Sequence, residues 1–103
     1  MKYGLEDHVI QKISAVFTLF PDITEVIIYG SRAKGNYRTG SDIDLSLKGN
    51  NLNLNLVNQV CLKLDELMLP YTFDISIFDQ IENPDFLDHI KRIGQIFFAQ
   101  TKS

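Results

Sequence analysis

The segment "TEVIIYGSRAKGNYRTGSDIDLSL", residues 24–47, constrains the fold more than any other. Its first six residues are rich in β-branched and aromatic side chains and run into Gly30, which reads as a buried strand ending in a turn. "SRAKG" can form about one helical turn, with Ser31 as the capping candidate. "DIDLSLK" then alternates: Asp42, Asp44 and Ser46 share one face, and Ile43, Leu45 and Leu47 share the other. Side chains on a strand point alternately to its two faces, so the apolar set belongs in a core and the two carboxylates stand together outside it.

The flanking sequence supplies the layers that such strands need. "EDHVIQKISAVFTLF" spaces Val9, Ile10, Ile13, Val16, Phe17 and Phe20 as an amphipathic helix stopped by Pro21. A second helix is expected from about Leu54 to Leu69, with Val57, Val60, Cys61, Leu64, Leu67 and Met68 inward and Pro70 beyond it. "TFDISIF" alternates again, with Asp74 and Ser76 opposite Phe73, Ile75 and Ile77. Asn83 and Pro84 open a last helix, Gly94 suits its C′ position, and "QIFFA" is a final short strand. The order α-β-(short α)-β-α-β-α-β predicts an α/β (α+β) domain, a small mixed sheet with helices packed on it, spanning residues 1–103 as one unit.

The totals exclude several classes of function. A net charge of −3 argues against a general nucleic-acid binder, which carries a basic excess. No apolar run nears the roughly 18 residues that span a bilayer, and the amino terminus has no signal-peptide pattern. One cysteine, Cys61, cannot form an internal disulfide, which fits a cytoplasmic protein.

Within this frame the chemistry concentrates in a few residues. Asp42 and Asp44 converge on one point, and Asp74 joins them if its strand lies alongside. Clustered carboxylates repel unless a cation neutralises them, and Mg²⁺, a hard ion, suits carboxylate and phosphate oxygens. The same residues also fit an ordinary solvated strand face. Gly30 and Ser31 form a junction whose backbone N–H groups can meet a phosphate, although a plain strand-to-helix turn uses the same residues. Arg32, Lys34 and Arg38 place three of the ten basic residues just ahead of the acidic pair, where they would offset phosphate charge. The spacing is not a P-loop, since Asn36 and Tyr37 stand where Lys-Ser/Thr should follow, and no Gly-x-Gly dinucleotide fingerprint is present. His8, His89 and Cys61 read as structural or surface residues.

Taken together, "GSRAKGNYRTGSDIDLSL" and the later Asp74 in "YTFDISIF" resemble the signature of the DNA polymerase β superfamily. The chain is most similar to its minimal nucleotidyltransferases, the MntA-like antitoxins among them. The resemblance implies that Asp42, Asp44 and Asp74 are catalytic and bind Mg²⁺, one or two ions, with Mn²⁺ as a substitute. It implies triphosphate binding at Gly30 and Ser31, and we place Arg32, Lys34 and Ser41 with that nucleotide-binding set. It further implies ATP or another NTP as donor, transfer of AMP to a hydroxyl, and a separately encoded helical partner of the HEPN type that completes the acceptor site. The chain would then act as a homo-oligomer or as a hetero-oligomer with that partner. Leu62 and Leu69, off the core stripe of the second long helix, are candidates for the contact. Nucleotidyl transfer to a small molecule and a non-catalytic antitoxin acting by contact remain as alternatives.

Overall fold

A computed structural model describes residues 1–101. The elements are α1 (Asp7–Phe17), β1 (Ile23–Tyr29), α2 (Ser31–Lys34), β2 (Ile43–Gly49), α3 (Leu54–Asp65), β3 (Phe73–Ile77), a single 3₁₀ turn (Phe78–Gln80), α4 (Pro84–Ile93) and β4 (Gln95–Ala99). The four strands form one mixed sheet in the order β3-β2-β1-β4. β1 runs antiparallel to β2 and β4, and β2 runs parallel to β3, with α3 as the crossover that a parallel pair requires. This is the expected α/β architecture, a small mixed sheet with helices packed on it.

Alternation along the strands decides which helix covers which face. Val26 and Ile28 of β1, with Ile43, Leu45 and Leu47 of β2, pack with Val9, Ile13 and Phe17 of α1 and Val57, Val60 and Leu64 of α3. Ile27 and Tyr29 point the other way and form a smaller cluster with Ile90 of α4. The layers are therefore α1 and α3, the sheet, then α4. Asn83 accepts hydrogen bonds from the N–H groups of Asp85 and Phe86, and Pro84 occupies the first turn, so α4 begins where its capping residues require.

Four local expectations change. α3 ends at Asp65, not Leu69: the N–H groups of Leu67 and Met68 reach back only three residues, to Leu64 and Asp65, and the tightened turn leaves the helix at Met68 with φ +57°. That twist turns Met68 out to 87% exposure, away from the core expected for it, and tucks Leu69 against the core instead. Gly94 does not take a left-handed C′ conformation; its backbone is extended at φ −63° and ψ 147°. Glycine is needed there for space. A Cβ would meet the Ile90 carbonyl oxygen and lie 2.6 Å from Cγ2 of Ile27, where α4 turns tightly into β4. Gly94→Ala is expected to destabilise the fold by about 1–3 kcal/mol, read as a lower urea midpoint at unchanged slope.

Candidate functional site

The register of the sheet lines up three polar side chains in one row. Tyr29 of β1 pairs with Asp44 of β2, and Asp44 pairs with Asp74 of β3. Residues paired across neighbouring strands share a face, with strands about 4.8 Å apart, so the row is contiguous. It lies on the α4 side of the sheet, opposite the larger core. Asp42 stands one residue ahead of β2, outside the ladder. Its side chain and that of Asp74 are exposed, while Asp44 is half-buried. The next row inward is Ile27, Ser46 and Ser76, and the Ser76 hydroxyl lies 3.1 Å from that of the fully buried Ser46, giving the site a satisfied polar floor.

Electrostatics follows from this crowding. Burial pushes the Asp44 carboxyl above its ordinary range, and the charges of Asp74 and Asp42 push it further, with His89 and Arg32 pulling the other way. Burial likewise raises the Tyr29 hydroxyl, opposed by a hydrogen bond with Ser76 and reinforced by Asp74 and Asp44. Tyr29 is thus a neutral hydroxyl within the field of two carboxylates. Among the described residues, no three His, Cys, Asp or Glu side chains stand close enough together to hold an ion as placed.

Gly30 packs directly on Asp44. At φ +75° it adopts a backbone that other residues avoid, and a Cβ there would collide with Oδ2 of Asp44. The turn that opens α2 and the central carboxylate are therefore fitted to one another. Ser31 follows as the first residue of α2, at a helix end whose first N–H groups have no intrahelical acceptor.

Arg32 departs from the free cation expected beside a phosphate. It is 3% exposed, and its guanidinium donates to the carbonyls of Ser41 and Tyr3 while lying over the rings of Tyr37 and Tyr71. Ser41 is a loop-builder in turn, its hydroxyl accepting from the Arg38 N–H at 2.8 Å and its N–H donating to the Arg38 carbonyl. Lys34 is exposed on α2.

Two residues of this neighbourhood escaped the sequence reading. Tyr29 belongs to a strand whose apolar neighbours made it read as core. His89 read as a surface helix residue, yet its ring sits edge-on to Tyr29 at 6.3 Å, over the carboxylate row. Only the choice of sheet face for α4 puts it there. Leu62 is exposed as expected, at 65%, but it lines a groove with Leu19 and Phe20 on the α1/α3 side, across the sheet from the carboxylates.

Comparison with known proteins agrees with this fold. The family model described as polymerase beta, nucleotidyltransferase matches residues 11–103. No curated sequence matches at a significant level. A crystal structure of a toxin-antitoxin with AMP-PNP superposes with a TM-score of 0.72 at 16% identity, covering 88% of this chain and 73% of that one. A structure of a tri-AMPylated Shewanella oneidensis HEPN toxin in complex with MNT antitoxin gives 0.69 at 13% identity, covering 93% and 74%. The toxin-antitoxin MntA-HepT gives 0.68 at 13% identity, covering 92% and 74%. At these identities the likeness is one of fold.

Proposed function

This chain belongs to the polymerase β nucleotidyltransferase family, and we propose that it transfers AMP from ATP to a hydroxyl of a HEPN-type partner protein, which it thereby neutralises. The observation that carries the reading is the row of Asp44 and Asp74 beside Asp42, with Gly30 fitted against Asp44. The likeness to a complex that holds a tri-AMPylated HEPN toxin supports the choice of acceptor.

An all-oxygen carboxylate set suits Mg²⁺, and an Asp44 carboxyl held up by burial, and further by the charges of Asp74 and Asp42, marks a place where a cation would relieve repulsion. Asp42, Asp44 and Asp74 would hold it, Asp42 and Asp74 being exposed beside the half-buried Asp44. When bound, the ion neutralises triphosphate charge and acidifies the acceptor hydroxyl. The remaining work belongs to the chain. The Gly30–Ser31 turn receives the phosphates on backbone N–H groups, and Lys34 adds a cation nearby. Asp74 accepts the proton as the acceptor oxygen attacks the α-phosphorus. A new P–O bond forms, the bond to the β-phosphate oxygen breaks, and pyrophosphate leaves. Incubating the chain with Mg²⁺ and labelled ATP, with and without a HEPN-type partner, tests the proposal directly. Label appearing on the partner supports it, and label on a small molecule alone replaces it.

The groove of about 650 Å³ at Leu19, Phe20 and Leu62 favours a second reading, neutralisation by contact alone. A partner bound there would lie across the sheet from the carboxylates.

The nucleotide turn gives a further expected result. Gly30→Val drives a side chain into Asp44 and disfavours the φ +75° backbone, so ATP affinity should fall about tenfold or more. Ser31→Ala, which removes only a hydroxyl, should cost less. Calorimetric titration with unchanged affinity in both variants would place the nucleotide elsewhere.

A further inference from the structure

Arg32 is a buried cation with no carboxylate beside it at ion-pair distance among the described residues. Such a charge is costly unless its donors are satisfied, and here they are used in a specific way. Nε and Nη2 both donate to the Ser41 carbonyl, at 3.1 and 2.8 Å, and Nη1 donates to the Tyr3 carbonyl at 2.9 Å. The guanidinium carbon also lies over two rings, 5.5 Å from the centre of Tyr37 and 5.1 Å from that of Tyr71.

The Ser41 carbonyl belongs to the peptide that leads into Asp42. On its other side Asp42 is followed by Ile43, whose N–H donates to the Thr72 carbonyl at 2.8 Å. Asp42 itself is in no strand ladder, so these two anchors fix its backbone, one from Arg32 and one from the segment entering β3. Arg32 also sits on α2 immediately after Gly30 and Ser31. One side chain therefore ties the phosphate turn to the first carboxylate.

We infer that Arg32 is a positioning residue: it sets the Ser41–Asp42 peptide so that the Asp42 carboxylate can close with Asp44 on a divalent cation, and it does not bind the nucleotide. The inference rests on the metal-binding reading of the carboxylates given above. Lysine at this position keeps the charge but loses the planar, two-pronged grip and the ring stacking.

The test compares Arg32→Lys with the wild type by Mn²⁺ titration in the presence of AMP-PNP, by AMP-PNP titration without metal, and by transfer kinetics. Positioning predicts Mn²⁺ affinity weakened about 10–100-fold, as for residues that orient metal ligands. It predicts kcat lowered about 10²-fold, as for a small misplacement of reacting groups, with metal-free AMP-PNP affinity and the KM for ATP unchanged. A raised KM for ATP with Mn²⁺ affinity intact would make Arg32 a phosphate contact and overturn the inference. If Arg32→Lys does not fold, Tyr37→Leu serves instead. Tyr37 is 39% exposed, and losing its ring removes one of the two aromatic contacts of the guanidinium. Mn²⁺ affinity should then fall several-fold, and an unchanged value overturns the inference. A wild-type chain that binds no Mn²⁺ under any of these conditions removes the metal reading itself and this inference with it. Wild-type binding that survives in the variants removes the inference alone.

Discussion

Asp44→Asn is expected to lower nucleotidyl transfer by about 10²–10³-fold or more while raising the melting temperature of the metal-free protein. The two effects have one origin. Asp44 sits between Asp42 and Asp74, half-buried, with its carboxyl held above the ordinary value of 3.8. Below that ordinary value both folded and unfolded chains carry the proton, and the group's favourable contribution to folding is fully present. As the pH rises through the raised folded pKa, the folded chain must take up a charge that burial and two neighbours disfavour, and the contribution is lost. Asparagine has nothing to ionise. The stability difference between variant and wild type should therefore be small near pH 4 and should grow toward pH 7, measured by thermal unfolding in chelator. Mg²⁺ with ATP should shrink the difference by stabilising the wild type alone, since a ligand that binds only the folded state adds to its stability. Full transfer activity in Asp44→Asn would remove this residue from the chemistry. A pH-independent difference in melting temperature would mean that the crowding of charge has no energetic consequence.

Alternation and helical spacing were legible because each depends on one element at a time. "DIDLSLK" showed which of its residues share a face, and "TFDISIF" did the same. Neither could show that Asp44 and Asp74 stand at the same register, nor that Tyr29 completes the row, because register depends on pairing between strands distant in sequence. The burial of Arg32 is not legible for a related reason. A basic residue after Gly-Ser reads as a cation facing phosphate, and nothing local reveals that the carbonyls of Tyr3 and Ser41 converge on it. His89 and Leu62 illustrate the layer problem. Both were legible as members of amphipathic helices, but the face each helix covers follows from packing. α4 lies over the carboxylates and brings His89 to them, while α3 lies beneath the sheet and carries Leu62 away. The end of α3 was misplaced because Pro70 was read as the stop, whereas the backbone already turns out at Met68.

The partner experiment has the largest expected contrast, because positioning supplies most of the rate in phosphoryl chemistry. Asp42 and Asp74 are exposed, so two of the three carboxylates are open to an acceptor approaching from a second protein. Alone, the chain should transfer AMP slowly or only to itself. With a HEPN-type partner that presents a tyrosine hydroxyl to the row, the partner should gain one or more AMP units. Intact mass should show them persisting after the two chains are separated. Asp42→Asn should lose this transfer without losing the fold. The decisive outcome is the partner's state with that variant. A partner that stays active beside Asp42→Asn at equal stoichiometry, and is silenced by the wild type with AMP attached, requires the catalytic reading. A partner silenced equally by Asp42→Asn requires only contact. Leu62→Glu then tells where the contact is made. Losing silencing in that variant points to the groove beside α1 and α3, on the face away from the carboxylates.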